Sequence, residues 1–464
     1  MHLNSSPKVF GEGVHRIVSP EDTFERVLPV AREIGITRIA DITGLDRIGI
    51  PVYSAIMPKS NDVISVYNGK GTRPLDAKVG AIMEGIERFA AWSAIRPELS
   101  GSYTELRRWR NMLDPHEIVT TIQEDYTDET PIGWVEGYDL LRQEKIYVPF
   151  YAAAYFDGPG DDYGHLCYTV TSANGLASGN SLEEAICHAL CEIIERDAWS
   201  LAELSSRNLP KYLGKSRADL GAEISADDLE RYPTIRQDSI TGQPRELLEL
   251  YEQAGMRIVL RNITSDIGIP TISCTVCDDL HNKFSPAHMG VGTHPDATVA
   301  LTRALTEAAQ SRAVDIQALR EDISMADEEV DKAFLHSKRV GKVEGPTFHQ
   351  TESRHPISFG QIASYRNGDV LDDINLMMDR LRKCELQRVI VVDLSMPELK
   401  ASVVRVIVPG MESWGAVKGA VGERADALLR ETAVEKQREA ALRINSQRIM
   451  DAFRSRLPGS EPEA

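Results

Sequence analysis

Apolar positions along the chain fall into two rhythms, helical and strand-like, separated by polar stretches. Helical spacing is clearest over 181–200 (SLEEAICHALCEIIERDAWS), where Ile186, Leu190, Ile193 and Ile194 make one apolar face. Ser181 with Glu183 and Glu184 supplies a helix start that suits the dipole. The same rhythm predicts helices over 76–92 and 296–316, from Ser19-Pro20-Glu21-Asp22 to an end at Gly35, and over 245–255. Runs rich in β-branched residues predict strands at ITRIADIT, IPVYSAIMP, DVISVYNG, GWVEGYDL, KIYVPF, MRIVLRNIT, IPTISCTVCD, RVIVVDLS and SVVRVIVPG. The last two are dense in valine and isoleucine, which predicts burial on both faces.

The polar stretches set the organisation. Residues 1–40 read as an N-terminal adaptor segment and 41–415 as one α/β unit of mixed strands and helices. Residues 416–464 read as a charged helix that packs or dimerises through Ala425, Leu428, Leu429 and Ala433, then a disordered tail. Within the central unit, 205–245 reads as a surface excursion and 318–370 as a mobile flap or linker.

The chain has 464 residues, 42% hydrophobic and 26% charged, as expected of a soluble globular protein. Its net charge of -18 argues against gripping nucleic acid. No apolar run is long enough to cross a membrane and no signal-peptide pattern opens the chain, so a cytoplasmic location is expected. Six scattered cysteines suggest no disulfide framework. Cys274 and Cys277 fall in a strand pattern, with structural zinc the less favoured reading, and Cys187 and Cys191 read as a buried apolar pair.

The chemistry gathers on three helices. Glu184, Glu192 and Glu195 fall within roughly 80° of arc on the 181–200 helix, with Arg196 following. The 76–92 helix carries Glu84, Glu87 and Arg88, and the 296–316 helix carries Arg303, Glu307 and Gln310 at i, i+4 and i+7. One such helix alone also fits a solvated acidic face. Three of them, set among small apolar residues, point to a shared polyanion site. Carboxylates there would hold Mg²⁺ while guanidiniums and Lys70, in a Gly69-Lys70-Gly71 turn between strand and helix, would take phosphate oxygens. Asn174 and Asn180, in the loop TVTSANGLASGN, either offer amide groups to a ligand or tolerate a left-handed turn. No GxxxxGK[ST] occurs and no GxGxxG opens a helix, so a P-loop and a Rossmann turn are both excluded.

In combination these motifs resemble the YcaO-domain family. They are LDRIGIPVYSAIMP, GKG before a Glu-x-x-Glu-Arg helix, SANGLASGN leading into ICHALCEIIERDA, HPDATVALTRALTEAAQSR, and VVDLSMPELKASVVRVIVPG, covering about 44–410. The resemblance implies an α/β YcaO-type ATP-binding fold with acidic helices lining a central site. It maps nucleotide and Mg²⁺ contacts onto Lys70, Glu84, Glu87, Asn180, Glu184, Glu192, Glu195, Arg196, Arg303 and Glu307, beside Gln310 from the helical stripe. Two departures stand out. Gly80 occupies a position where the family often has serine, and no PxPxP tail closes the chain.

The chemistry implied is activation of a peptide bond. A nucleophile adds to the carbonyl carbon, the oxygen attacks the γ-phosphate of ATP, and phosphate departs, so no protein nucleophile is required. External sulfide would yield a thioamide, the reading favoured by the missing PxPxP tail. That reading implies a peptide or protein substrate, a sulfide donor and a TfuA-like partner, with a homodimer expected from the family. A substrate Cys, Ser or Thr side chain would instead yield an azoline. A third expectation is a non-catalytic ATP-binding accessory protein.

Overall fold

The computed structural model describes residues 1–9, 15–62, 64–155, 166–169, 172–212, 230–278, 288–318, 348–413, 421–432 and 434. In chain order the elements are α1 (Pro20–Glu33), β1 (Arg38–Asp41), β2 (Val52–Ile56), β3 (Val66–Lys70), α2 (Pro74–Ser93), β4 (Leu99–Gly101), α3 (Tyr103–Leu106), β5 (Ile132–Asp139), β6 (Glu144–Pro149) and α4 (Phe150–Ala153). There follow β7 (Leu176–Gly179), α5 (Leu182–Tyr212), α6 (Gln243–Gln253), β8 (Arg257–Asn262), β9 (Thr271–Cys277), β10 (His288–Thr293) and α7 (Ala297–Ala318). The chain then forms a helix at Val370–Lys383, here α8, and two strands, β11 (Ile390–Asp393) and β12 (Ser402–Ile407).

Among the described residues the strands make three antiparallel sheets. Two have three strands, ordered β1-β2-β3 and β10-β9-β8, and the third runs β4-β5-β11-β12-β7 with β6 on β5. One building unit recurs three times: a strand ends, turns, and feeds a helix that lies directly back on it. The pairs are β3–α2, β7–α5 and β10–α7. Their contact is backbone to backbone, because the strands carry glycine where the helix crosses. A Cβ on Gly69 would sit 2.0 Å from the carbonyl oxygen of Ala77, and one on Gly290 would sit 2.2 Å from the nitrogen of Ala308. No side chain fits there, so glycine brings each acidic helix within reach of its strand's end.

The helix starts follow local chemistry. Ser19 accepts from the Asp22 N–H at 3.1 Å, and Asp369 from the Leu371 N–H at 2.8 Å. The chain pattern did not lead us to expect α8, although Val370, Ile374, Met377 and Leu381 bury one of its faces against α5.

That stretch departs from the expected flap in its described part. Residues 348–369 are pinned: Thr234 N–H donates to Ser353 Oγ at 2.8 Å, Ile235 bridges Ile357, and Ala297 N–H donates to Ser364 Oγ at 3.0 Å. Hydroxyl and backbone partners hold it where apolar content is low. The rest of that expectation, over 319–347, lies outside the described residues, as do the expected helix beyond 434 and the tail. Residues 423–432 are helical, and Ala425 and Leu429 bury against Leu201 and Leu204 as expected of a packing face. Cys274 and Cys277 are buried in β9, and Cys187 and Cys191 are buried in α5. β11 and β12 are almost wholly buried.

Candidate functional site

The strand–helix units bring their polar stripes to one cleft. Lys70, last in β3, is ion-paired with Glu307 of α7. Glu307 also accepts weakly from the Val291 N–H of β10 at 3.4 Å. On α2, Glu84 accepts from the Asn68 N–H at 2.8 Å and faces Arg88 at 3.5 Å. Glu87 is buried and accepts from the Ser178 N–H of β7 at 2.9 Å. On α5, Arg196 lies 3.9 Å from Glu192 and 3.7 Å from Glu195, its guanidinium over the Trp199 ring. Gln310 spends its amide donor on the Asn68 carbonyl at 2.9 Å, tying α7 to β3.

This is a cleft, not a sealed core. The side chains of Glu84, Glu192 and Glu307 keep 28%, 21% and 23% of their surface exposed, whereas Glu195 keeps 2%. Burial pushes the Glu87 carboxyl up to about 8, with Arg88 pulling it back and Glu192 and Glu84 adding to the rise. Burial likewise raises Glu84, Glu192 and Glu195, against the pull of Arg88, Arg196 and Arg303. Glu307 goes the other way: burial favours its proton, but Lys70, Arg196 and Arg303 together outweigh it. The carboxylates of α2 and α5 therefore feel one another across the cleft; Arg88 of α2 acts on both sets, and Arg196 and Arg303 act on those of α5 and on Glu307.

Three buried polar atoms here make no hydrogen bond: Glu195 Oε2, Arg303 Nε and Arg88 Nε. Crowded carboxylates favouring protonation, beside guanidiniums with spare donors, suit a divalent cation carried with an anionic ligand. The donor set thus fits Mg²⁺ and a polyphosphate. Among the described residues, the groups of three whose ligand atoms lie within 4.8 Å of one another are His15, His294 and Asp373, and Asp114, His116 and Asp128. The glutamates stand farther apart. Lys8 is ion-paired with Asp373 in the first group.

Glu184 and Asn180 lie elsewhere on the rim. Glu184 sits eight residues before Glu192, about 12 Å along the helix axis, so a shared stripe does not mean a shared contact. It accepts from Asn180 Nδ2 at 2.9 Å and from the Ile17 N–H at 3.2 Å, with Arg16 at 3.7 Å. Asn180 Oδ1 in turn accepts from Thr23 Oγ1 at 3.0 Å and from Arg26. The N-terminal segment thus straps this end of the site. Sequence reasoning missed Arg16 and Arg26, which give no local signal. It also missed His188, whose Nε2 is 3.4 Å from an Arg303 nitrogen and which burial and then Arg303 hold neutral. Arg405 was missed too, although an arginine inside the run SVVRVIVPG was a visible oddity.

Fold and cleft together define an α/β protein with a Walker-free site, in which carboxylates and guanidiniums from separate helices face one another. The family model described as YcaO cyclodehydratase, ATP- and Mg²⁺-binding, matches residues 68–412, and the chain belongs to that family. Its cofactors are accordingly ATP and Mg²⁺. A relative from Rhizobium leguminosarum bv. trifolii, described as an uncharacterized protein in tfuA 3'region, is 33% identical over 86% of this chain and 88% of its own length. The structure of YcaO from Methanopyrus kandleri, bound with AMPPCP and Mg²⁺, shares the fold with a TM-score of 0.65 at 24% identity, over 90% of this chain and 98% of that one. A heterocyclase in complex with substrate and cofactor has a TM-score of 0.70 at 18% identity, over 92% of this chain and 58% of its own. Among the described residues, no helix is long and apolar enough to cross a membrane.

Proposed function

We propose that this protein uses ATP and Mg²⁺ to activate a backbone amide of a peptide or protein, and that an external sulfide then gives a thioamide. The observation that carries the activation step is the convergence of Glu84 and Glu87 of α2 with Glu192 and Glu195 of α5, flanked by Arg196, Arg303 and Lys70. In this reading the four glutamates hold Mg²⁺. Lys70, Arg196 and Arg303 take phosphate oxygens, and Asn180, Glu184, Glu307 and Gln310 shape the nucleotide pocket. Bound ATP supplies the phosphoryl group that makes the amide oxygen a leaving group. The chain's own share is positioning and charge neutralisation, so no Ser, Cys or His nucleophile is needed.

The thioamide product is supported by the relative's place in the tfuA 3'region, which also makes a TfuA-like partner part of the reading. A homodimer is part of it as well. The second reading is azoline formation on Cys, Ser or Thr, favoured by the family's cyclodehydratase description. Purified protein would be incubated with Mg²⁺-ATP, sulfide and candidate peptides, with and without a TfuA-like protein, and the product weighed by mass spectrometry. Exchange of oxygen for sulfur supports the thioamide, and loss of one water supports the azoline. Product yield unchanged in Glu192→Ala and Glu195→Ala would instead make the chain a non-catalytic accessory.

A further inference from the structure

A second cavity lies behind the carboxylate cleft, walled by Tyr151, Tyr168, Asn174, Ile193, Arg405 and Met411 among others. Ile193 follows Glu192 on α5, and Arg405 is near enough to Glu192 and Glu87 to feel both charges. Arg405 is 2% exposed, in the middle of β12, where its strand neighbours are valine and isoleucine. Two of its nitrogens are used: Nε donates to the Ala153 carbonyl at 3.2 Å and Nη1 to the Asn174 carbonyl at 2.7 Å. Nη2 is buried and donates to nothing, and Asn174 Oδ1 is likewise buried and accepts nothing. A buried donor and a buried acceptor left open on adjoining residues are costly, and each is the complement of what a peptide group carries.

We propose that this cavity receives one backbone amide of the substrate peptide, Arg405 Nη2 donating to its carbonyl oxygen and Asn174 Oδ1 accepting from its N–H. The inference rests on the proposed reading that the substrate is a peptide, and it names the subsite. Burial lowers the Arg405 guanidinium to about 10, with Glu192 and Glu87 drawing it back up, so it stays charged at neutral pH. A charged donor withdraws electron density from the carbonyl it holds. The residue that fixes the peptide would thereby also make its carbonyl carbon easier to attack.

The test uses the full chain and a small probe, N-acetylglycine N-methylamide, titrated by NMR against wild type, Asn174→Leu and Arg405→Lys. An N-methylated analogue with no N–H runs in parallel. Wild type is expected to prefer the N–H probe. Asn174→Leu should weaken that probe on the order of tenfold and erase the preference. Arg405→Lys should weaken both probes. Equal binding in wild type and Asn174→Leu, or no binding to wild type, overturns the subsite. Should Arg405→Lys fail to fold in a thermal melt, Asn174→Leu still decides. Titrating Mg²⁺-AMPPNP into the same samples separates the two claims: unchanged nucleotide affinity in Asn174→Leu is expected, and absent nucleotide binding in wild type defeats the nucleotide roles proposed above, not the amide subsite.

Discussion

Lys70, at the end of β3, is ion-paired with Glu307 of α7, 237 residues away. Burial favours a proton on Glu307, and Lys70 with Arg196 and Arg303 removes it. In the proposed reading, a triphosphate entering the cleft competes with Glu307 for the Lys70 ammonium. Lys70→Met is therefore expected to weaken Mg²⁺-nucleotide binding by roughly ten- to a hundredfold, the range for losing one charge-assisted hydrogen bond. Calorimetric titration of AMPPNP measures it. An unchanged dissociation constant would mean that Lys70 serves only to hold α7 against β3.

The α5 carboxylates should matter to turnover more than to folding. Glu192→Gln and Glu195→Gln keep the side chains' size and remove the charge that the proposed Mg²⁺ site would use. Phosphate release in the presence of a competent peptide should fall by roughly a hundredfold or more, with the melting temperature held or raised. Full turnover in either variant would take that carboxylate out of the metal shell.

Burial raises Glu84, Glu87, Glu192 and Glu195, Glu87 to about 8. The folded chain thus holds protons that the unfolded chain releases near pH 4.5. The stability these groups contribute is complete below that pH and is lost as pH rises towards 8. Mg²⁺ binding requires the ionised forms and so runs the opposite way. The gain in melting temperature on adding Mg²⁺-AMPPNP should grow from pH 5 to pH 8, and Glu87→Gln should flatten that slope. Differential scanning calorimetry across the range checks it, and a gain that shrinks with pH would refute it.

The strand glycines should be intolerant while a nearby helix glycine is not. Gly69→Ala and Gly290→Ala push a methyl group into helix backbone, costing about 1–3 kcal/mol or more. Gly80 on α2 faces open enough space, its Cβ 3.4 Å from the Gly69 Cα, so Gly80→Ala should be neutral or stabilise by up to about 1 kcal/mol. Chemical denaturation of the three variants compares them directly. Equal stabilities would show that the helices do not rest on their strands as closely as described.

Much of the site was legible because its signals are short-range. Glu84 and Glu87, or Glu192 and Glu195, stand three residues apart on helices whose other faces are apolar, and spacing alone puts each pair on one side. Glycines at 69, 179, 290 and 292 precede those helices in the chain itself. Arg405 shows the limit. Its position in a buried strand was visible, but the open donor on Nη2 depends on Ala153 and Asn174, both far off in sequence.

The amino-acid order determined the three acidic helices, the strand that feeds the first of them and the chemistry each stripe carries, because helix and strand periodicity are properties of neighbours a few residues apart; β7, expected as a loop, and β10, not expected at all, are strands only through their pairing with β12 and β9. It did not determine that Glu184 turns to Arg16, that Lys70 meets Glu307, or that residues 348–369 are held against Thr234 and Ala297. Those partners lie from 67 to 237 residues apart in the chain. Only the folding of three strand–helix units onto one another decided which charge faces which, and the burial that follows set how tightly each carboxyl keeps its proton.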